Sequence, residues 1–244
     1  MGRKNSRVKD SSSNRYRTPC VSPMEQFQEE ETKRIILLPK NKNQELYIKA
    51  LKEAQQTVVL GPAGTGKTFI AATYAAKLIS DKEVSKIILT RPNVSSGKSI
   101  GFFPGTLEEK MAPWLGPVVD VLTKHLGSYK VQNMIKLGVI QVIPFETMRG
   151  RSFEDAFVLL DEAQNTTPHE MKMFLTRIGD NSRVVMNGDI QQSDLPSNSG
   201  LAKSIDMIKK YDIPVPIIEF QVEDIVRSRL CKTWIEAFIK EDKH

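Results

Sequence analysis

An apolar run, Val58-Val59-Leu60, ends in glycine and is followed by Gly61-Pro62-Ala63-Gly64-Thr65-Gly66-Lys67-Thr68 and then by Phe69-Ile70-Ala71-Ala72-Thr73-Tyr74-Ala75-Ala76. Buried strand, glycine-rich turn and helix follow one another without a gap, which constrains the fold more than any other feature of the chain. The glycines let successive backbone N–H groups turn inward around an anion. The helix start adds about half a positive charge, and Lys67 adds a full one. Thr68 sets a hydroxyl where a phosphate-bound Mg²⁺ is held. The four fixed positions arise by chance in about one chain in a hundred of this length, and the flanking strand and helix lower that further. The stretch is read as a nucleoside-triphosphate loop rather than a plain turn.

With 244 residues the chain has room for one sizeable α/β domain. No apolar run approaches the ~20 residues of a membrane span, and no hydrophobic signal region opens the chain. Cys20 and Cys231 lie far apart and the three histidines are scattered, which argues against a zinc site and fits a cytoplasmic location. The net charge of +6 suggests nucleic acid, but residues 1–18 carry +5 of it, with Arg3, Lys4, Arg7, Lys9, Arg15 and Arg17 against Asp10 alone. That leaves +1 for the rest, so charge does not identify a partner. Residues 1–32 are read as a basic tail too polar to bury a core, and 33–244 as a single domain.

Periodicity predicts a helix over Asn41–Ala54 and strands at Thr57–Leu60, Lys86–Thr90, Val139–Ile143, Ala156–Leu160, Arg183–Met186 and Pro216–Phe220. Helices are expected from Lys67 to about Ile79, from a capping box at Thr106 to Leu126 with breaks near Pro113 and Pro117, and over Tyr129–Leu137. Further helices are expected over Glu170–Ile178, Leu201–Lys210 and Val222–Ile239. Strands alternating with helices, several of them continuously apolar, imply an α/β fold: a mainly parallel sheet covered on both faces.

Three further groups point to chemistry. The apolar strand Phe157–Leu160 delivers Asp161-Glu162 to its C-terminal end, where two charges are costly without a cation. Asp161 is the expected Mg²⁺ ligand opposite Thr68, and Glu162 the general base that orients water. The segment Met186–Pro196 supplies a glutamine able to contact both γ-phosphate and water, Gln192 or else Gln191. Arg227 or Arg229 is the candidate for the charge that builds on the phosphate.

Taken together these residues resemble the PhoH family of phosphate-starvation ATPases, relatives of superfamily 1 helicases. The resemblance rests on Gly61–Thr68, Thr90-Arg91-Pro92, Gly101–Gly105, Met148–Arg151, Leu160–Pro168 with Met171–Arg177, and Gly188-Asp189 with Asp194–Pro196. It implies a three-layer α/β/α RecA-like core with ATP and Mg²⁺ as ligands, and a role for Gln44 at the adenine edge. It favours Arg227 over Arg229 and sets the strand ending at Gly188 between those ending at Gly61 and Asp161. It also implies a homo-oligomer, a hexameric ring in which Arg227 acts on the neighbouring subunit. Single-stranded RNA or DNA is the implied partner, through Lys98, Arg149 and Arg151; Phe102 and Phe103 stand either as base-stacking residues or as interface or core residues. An ATP-driven switch acting on a protein partner is the alternative.

Overall fold

The computed structural model describes residues 34–92, 107–195 and 198–241. Six strands form one parallel sheet in the order β3-β2-β4-β5-β1-β6: β1 Gln56–Leu60, β2 Lys86–Thr90, β3 Ile140–Val142, β4 Ala156–Leu160, β5 Arg183–Gly188 and β6 Ile217–Glu219. The helices are α1 Lys42–Glu53, α2 Lys67–Ser80, α3 Leu107–Leu126, α4 Ser128–Lys136, α5 Pro168–Leu175, α6 Gly200–Lys210 and α7 Arg229–Glu241.

The period-2 geometry of a strand explains the three layers. Val59, Ile87, Leu89, Phe157, Leu159 and Val185 point to one face and pack with α1–α4. Their neighbours Val58, Leu60, Ile88, Val158, Leu160 and Met186 point to the other and pack with α5 and α6. Every residue of β4 is buried, as a central strand covered on both faces requires. Because all strands run the same way, every C-terminal end emerges on one edge. The chain leaves β1 through α2 and re-enters the sheet at β2, three positions away with β5 and β4 between. It continues outward to β3 and then turns back to β4 and β5. That reversal of order opens a crevice at the C-terminal edge.

The boundaries of β2 and β4 match the sequence expectation, and β5 runs two residues further, to Gly188. Three helices differ. The expected breaks near Pro113 and Pro117 are absent, and α3 runs unbroken from Leu107 to Leu126; each proline removes one backbone donor, while Val118 and Leu122 anchor the helix in the core. The cap expected at Thr106 lies outside the described residues. Helix α5 opens at Pro168 on a Thr167/Glu170 capping box, two residues before the expected Glu170, and stops at Leu175, not Ile178. There the backbone leaves to pair with Phe153, whose N–H donates to Arg177 O (2.8 Å) and whose carbonyl accepts from Gly179 N (2.9 Å). The expected Val222–Ile239 helix is split into a 3₁₀ turn at Val222–Asp224 and α7. Between them Val226 N donates to Gly64 O at 3.0 Å, and a backbone spent on that bond cannot continue a helix.

Gly61 sits at φ +128°, and a Cβ there would run into the carbonyl oxygen of Phe220, with Phe220 Cβ 2.8 Å away. A Gly61→Ala change is expected to destabilise the fold by at least about 2 kcal/mol, lowering Tm by roughly 4–8 °C; thermal denaturation followed by circular dichroism measures it.

Candidate nucleotide site

The loop between β1 and α2 closes around the start of α2. Gly64 (φ +86°) and Gly66 (φ +92°) take left-handed conformations that only glycine adopts cheaply. Gly66 is the N-cap of α2 and contributes no side chain to the cap, so the first-turn N–H groups are left for an anion. Thr65 is fully buried, and its hydroxyl donates to Pro62 O at 3.0 Å, pinning the turn. The Lys67 ammonium donates to Gly61 O (2.5 Å) and Pro62 O (2.9 Å). Burial lowers its pKa, against the pull of Asp189, Asp161 and Glu162.

Helix α2 covers the face to which the odd-numbered residues of β4 and β5 point, which is why Thr68 meets Asp161. The Thr68 hydroxyl lies 3.2 and 3.4 Å from the two Asp161 oxygens. Burial, then Glu162, raises the Asp161 pKa, while Arg91 and hydrogen bonding from Thr68 oppose the rise. Asn187 belongs to the same face, is fully buried and has neither amide atom in a hydrogen bond of normal geometry. A buried carboxylate, a hydroxyl and an orphaned amide together suit a hydrated cation. Among the described residues no three His, Cys, Asp or Glu side chains cluster as a metal cage. A carboxylate and a hydroxyl are oxygen ligands of the kind Mg²⁺ takes beside phosphate and water.

Glu162 follows in a left-handed conformation, φ 53° and ψ 39°, which costs a non-glycine residue of order 1–3 kcal/mol and recurs at functional sites. Two neighbours hold its carboxylate. Gln164 Nε2 donates to Oε2 at 2.7 Å, and Arg91 Nη2 lies 3.8 Å from Oε1. Gln164 is itself buried, and its Oε1 accepts from Asp189 N at 3.1 Å. One side chain therefore ties the end of β4 to the end of β5. Ser193 Oγ donates to Gln164 O (3.0 Å) and Asp194 N to Asn165 Oδ1 (2.8 Å), completing the seam.

A cavity of about 540 Å³ opens here, within the range that holds a small-molecule ligand. Lys67, Thr68, Asp161, Glu162 and Gln192 line it; Gln191, the fallback for Gln192, does not. Leu38, Pro117 and Val121 form an apolar wall. Gln44 also lines the cavity, but its amide is engaged: Oε1 accepts from Lys40 N (2.8 Å) and Nε2 donates to Thr65 O (2.9 Å). It braces the glycine loop, with one N–H and one lone pair left over. Arg227 lines the cavity within this chain, where the Val226–Gly64 bond lays its stem across the loop. A Cβ on Gly64 would stand 2.9 Å from Arg227 Cγ. Arg229, the other arginine weighed, begins α7 and does not line the cavity.

Arg149 and Arg151 are exposed and lie outside the cavity, with Arg149 Nη2 3.5 Å from His169 Nε2. Lys98, Phe102 and Phe103 fall outside the described residues. Sequence reading missed Arg91, Gln164 and Asn187 as site residues. All three stand inside the motifs Thr90–Pro92, Leu160–Pro168 and Met186–Pro196, which is a signal of position though not of role.

A family described as PhoH-like protein matches residues 28–239. A PhoH-like protein of Bacillus subtilis is 44% identical over 205 residues, covering 83% of this chain and 64% of the relative. Protein PhoH of Escherichia coli K12 is 44% identical over 206 residues, covering 83% and 58%. The chain thus spans about three-fifths of the length of these curated relatives. Among solved structures, the Pif1 helicase of Candida albicans aligns at TM-score 0.39 and 20% identity, over 76% of this chain and 40% of that one. No helix among the described residues is long and apolar enough to cross a membrane.

Proposed function

Because the chain belongs to the PhoH-like protein family, we propose that it binds ATP with Mg²⁺ in the cavity described above and hydrolyses it. The observation that supports this most is the convergence of Lys67, Thr68, Asp161, Glu162, Gln192 and Arg227 on one cavity at the sheet's C-terminal edge. The N–H groups of Gly61–Thr68 and the Lys67 ammonium bind the phosphates. Thr68 and Asp161 hold Mg²⁺, whose charge offsets that of the phosphate oxygens. Glu162, aimed by Gln164, orients the attacking water and takes its proton. Gln192 spans water and γ-phosphate, and Arg227 meets the charge that develops there, in cis. The adenine lies along the apolar wall beside Gln44.

Hydrolysis is coupled, in this reading, to single-stranded RNA or DNA, with the exposed Arg149 and Arg151 as phosphate contacts. Phosphate release measured with and without defined strands tests the coupling: turnover is expected to rise several-fold with a strand and to lose that rise in an Arg149→Ala/Arg151→Ala variant. A flat response to every strand would leave the protein-directed switch as the better reading. One observation favours that second reading. Helix α7 exposes Leu230, Trp234 and Phe238 at helical spacing, and Trp234 and Phe238 stack on each other at 5.9 Å. A 13-residue helix is marginal without a partner, and a protein, including further copies of this chain in a ring, would cover that face. Native mass measurement tests the ring.

A further inference from the structure

Arg91 was not needed for the chemistry above, yet it stands inside the cavity. It follows β2, whose last residue Thr90 is bonded to Asp161 N at 3.0 Å, so the sheet carries its guanidinium to the ends of the Asp161-Glu162 pair. It faces Glu162 Oε1 at 3.8 Å, and the two side chains are 31% and 37% exposed. A pair this long and this well wetted contributes little stability. On the opposite oxygen the 2.7 Å bond from Gln164 is short and anchored to the β5 backbone. Glu162 is thus held firmly at Oε2 and loosely at Oε1.

Resting on the ATPase reading, we propose that Arg91 exchanges anions: it leaves Glu162 for the terminal phosphate of a nucleoside triphosphate, and so frees Oε1 to take the attacking water. The exchange runs downhill. A phosphate offers a guanidinium two parallel charge-assisted N–H···O bonds, whereas the carboxylate receives one contact beyond hydrogen-bond length. A diphosphate places no oxygens at that depth and leaves the Arg91–Glu162 pair in place. The base is therefore armed by the third phosphate, and Arg91 discriminates triphosphate from diphosphate. No bond to carbon or phosphorus changes in this step; a cation moves from one anion to another.

The test is equilibrium binding of a non-hydrolysable triphosphate, AMPPNP, and of ADP to the full chain with Mg²⁺. Arg91→Ala is expected to weaken AMPPNP roughly 10–100-fold and to leave ADP within about twofold. Arg91→Gln, closer in length, is the second variant if the first fails to fold, and the same selective loss is expected; Arg91→Lys is expected to recover part of it. Equal loss for both nucleotides, or loss for neither, overturns the exchange. Glu162→Gln removes the competing charge, so it is expected to tighten AMPPNP where Arg91 is present and not in the Arg91→Ala background; equal tightening in both overturns the proposal. Wild-type protein that binds neither nucleotide overturns the ATPase reading and this inference with it. Wild-type protein that binds both, beside an Arg91→Ala variant that loses both alike, overturns the exchange alone.

Discussion

A Glu162→Gln variant is expected to bind ATP and to turn it over about 10²–10⁴-fold more slowly than the parent. The change keeps length and shape and removes the ability to accept a proton. The bond from Gln164 Nε2 survives, because a carboxamide oxygen accepts as a carboxylate oxygen does. The left-handed backbone at this position is imposed by its surroundings and is shared by either side chain. The loss therefore falls on kcat and not on the fold. Phosphate release at saturating ATP, beside direct nucleotide binding, separates the two. Unchanged turnover would remove Glu162 as the base.

Lys67→Ala is expected to weaken ATP binding roughly 100-fold or more and to bring turnover to background. Two effects add. The variant loses the ammonium that meets the phosphates, and it leaves Gly61 O and Pro62 O without the donor that now shapes the loop. That ammonium is a cation on which Asp189, Asp161 and Glu162 act together, so without it an incoming triphosphate would meet three acidic side chains with less to offset them. Calorimetric titration of ATP, with circular dichroism to confirm folding, measures this; binding within about threefold of the parent would show that the loop backbone suffices.

Much of the site was legible because its chemistry is local. The spacing from Gly61 to Thr68 is a property of one turn, and β4 delivers Asp161-Glu162 at the end of five buried residues. The helix expected from Glu170 forms because its Thr167/Glu170 capping box lies within four residues. Where competing long-range bonds decide, periodicity misleads. The Val222–Ile239 pattern reads as one helix, but Val226 spends its N–H on Gly64, 162 positions earlier. That single bond turns Arg227 onto its own chain's loop. The resemblance sets Gln44 at an adenine edge, and the fold adds that both ends of its amide brace the loop. Gln164 lies two residues past Glu162, and the bond its Oε1 accepts from Asp189 N spans 25 positions.

By itself the sequence determined the strand–loop–helix that can cradle phosphates, the acidic pair that can hold a metal and a water, and the α/β alternation that buries both faces of a sheet. Backbone conformation and the alternation of side chains are set by neighbours within a few residues, so composition and spacing suffice for them. Only the tertiary structure decided that β2 stands beyond β4, that Gln164 holds one oxygen of Glu162 while Arg91 faces the other, and that the Val226–Gly64 bond lays Arg227 across the loop. Those arrangements depend on which strands lie side by side and which buried polar groups find partners across the fold, and no local pattern encodes either.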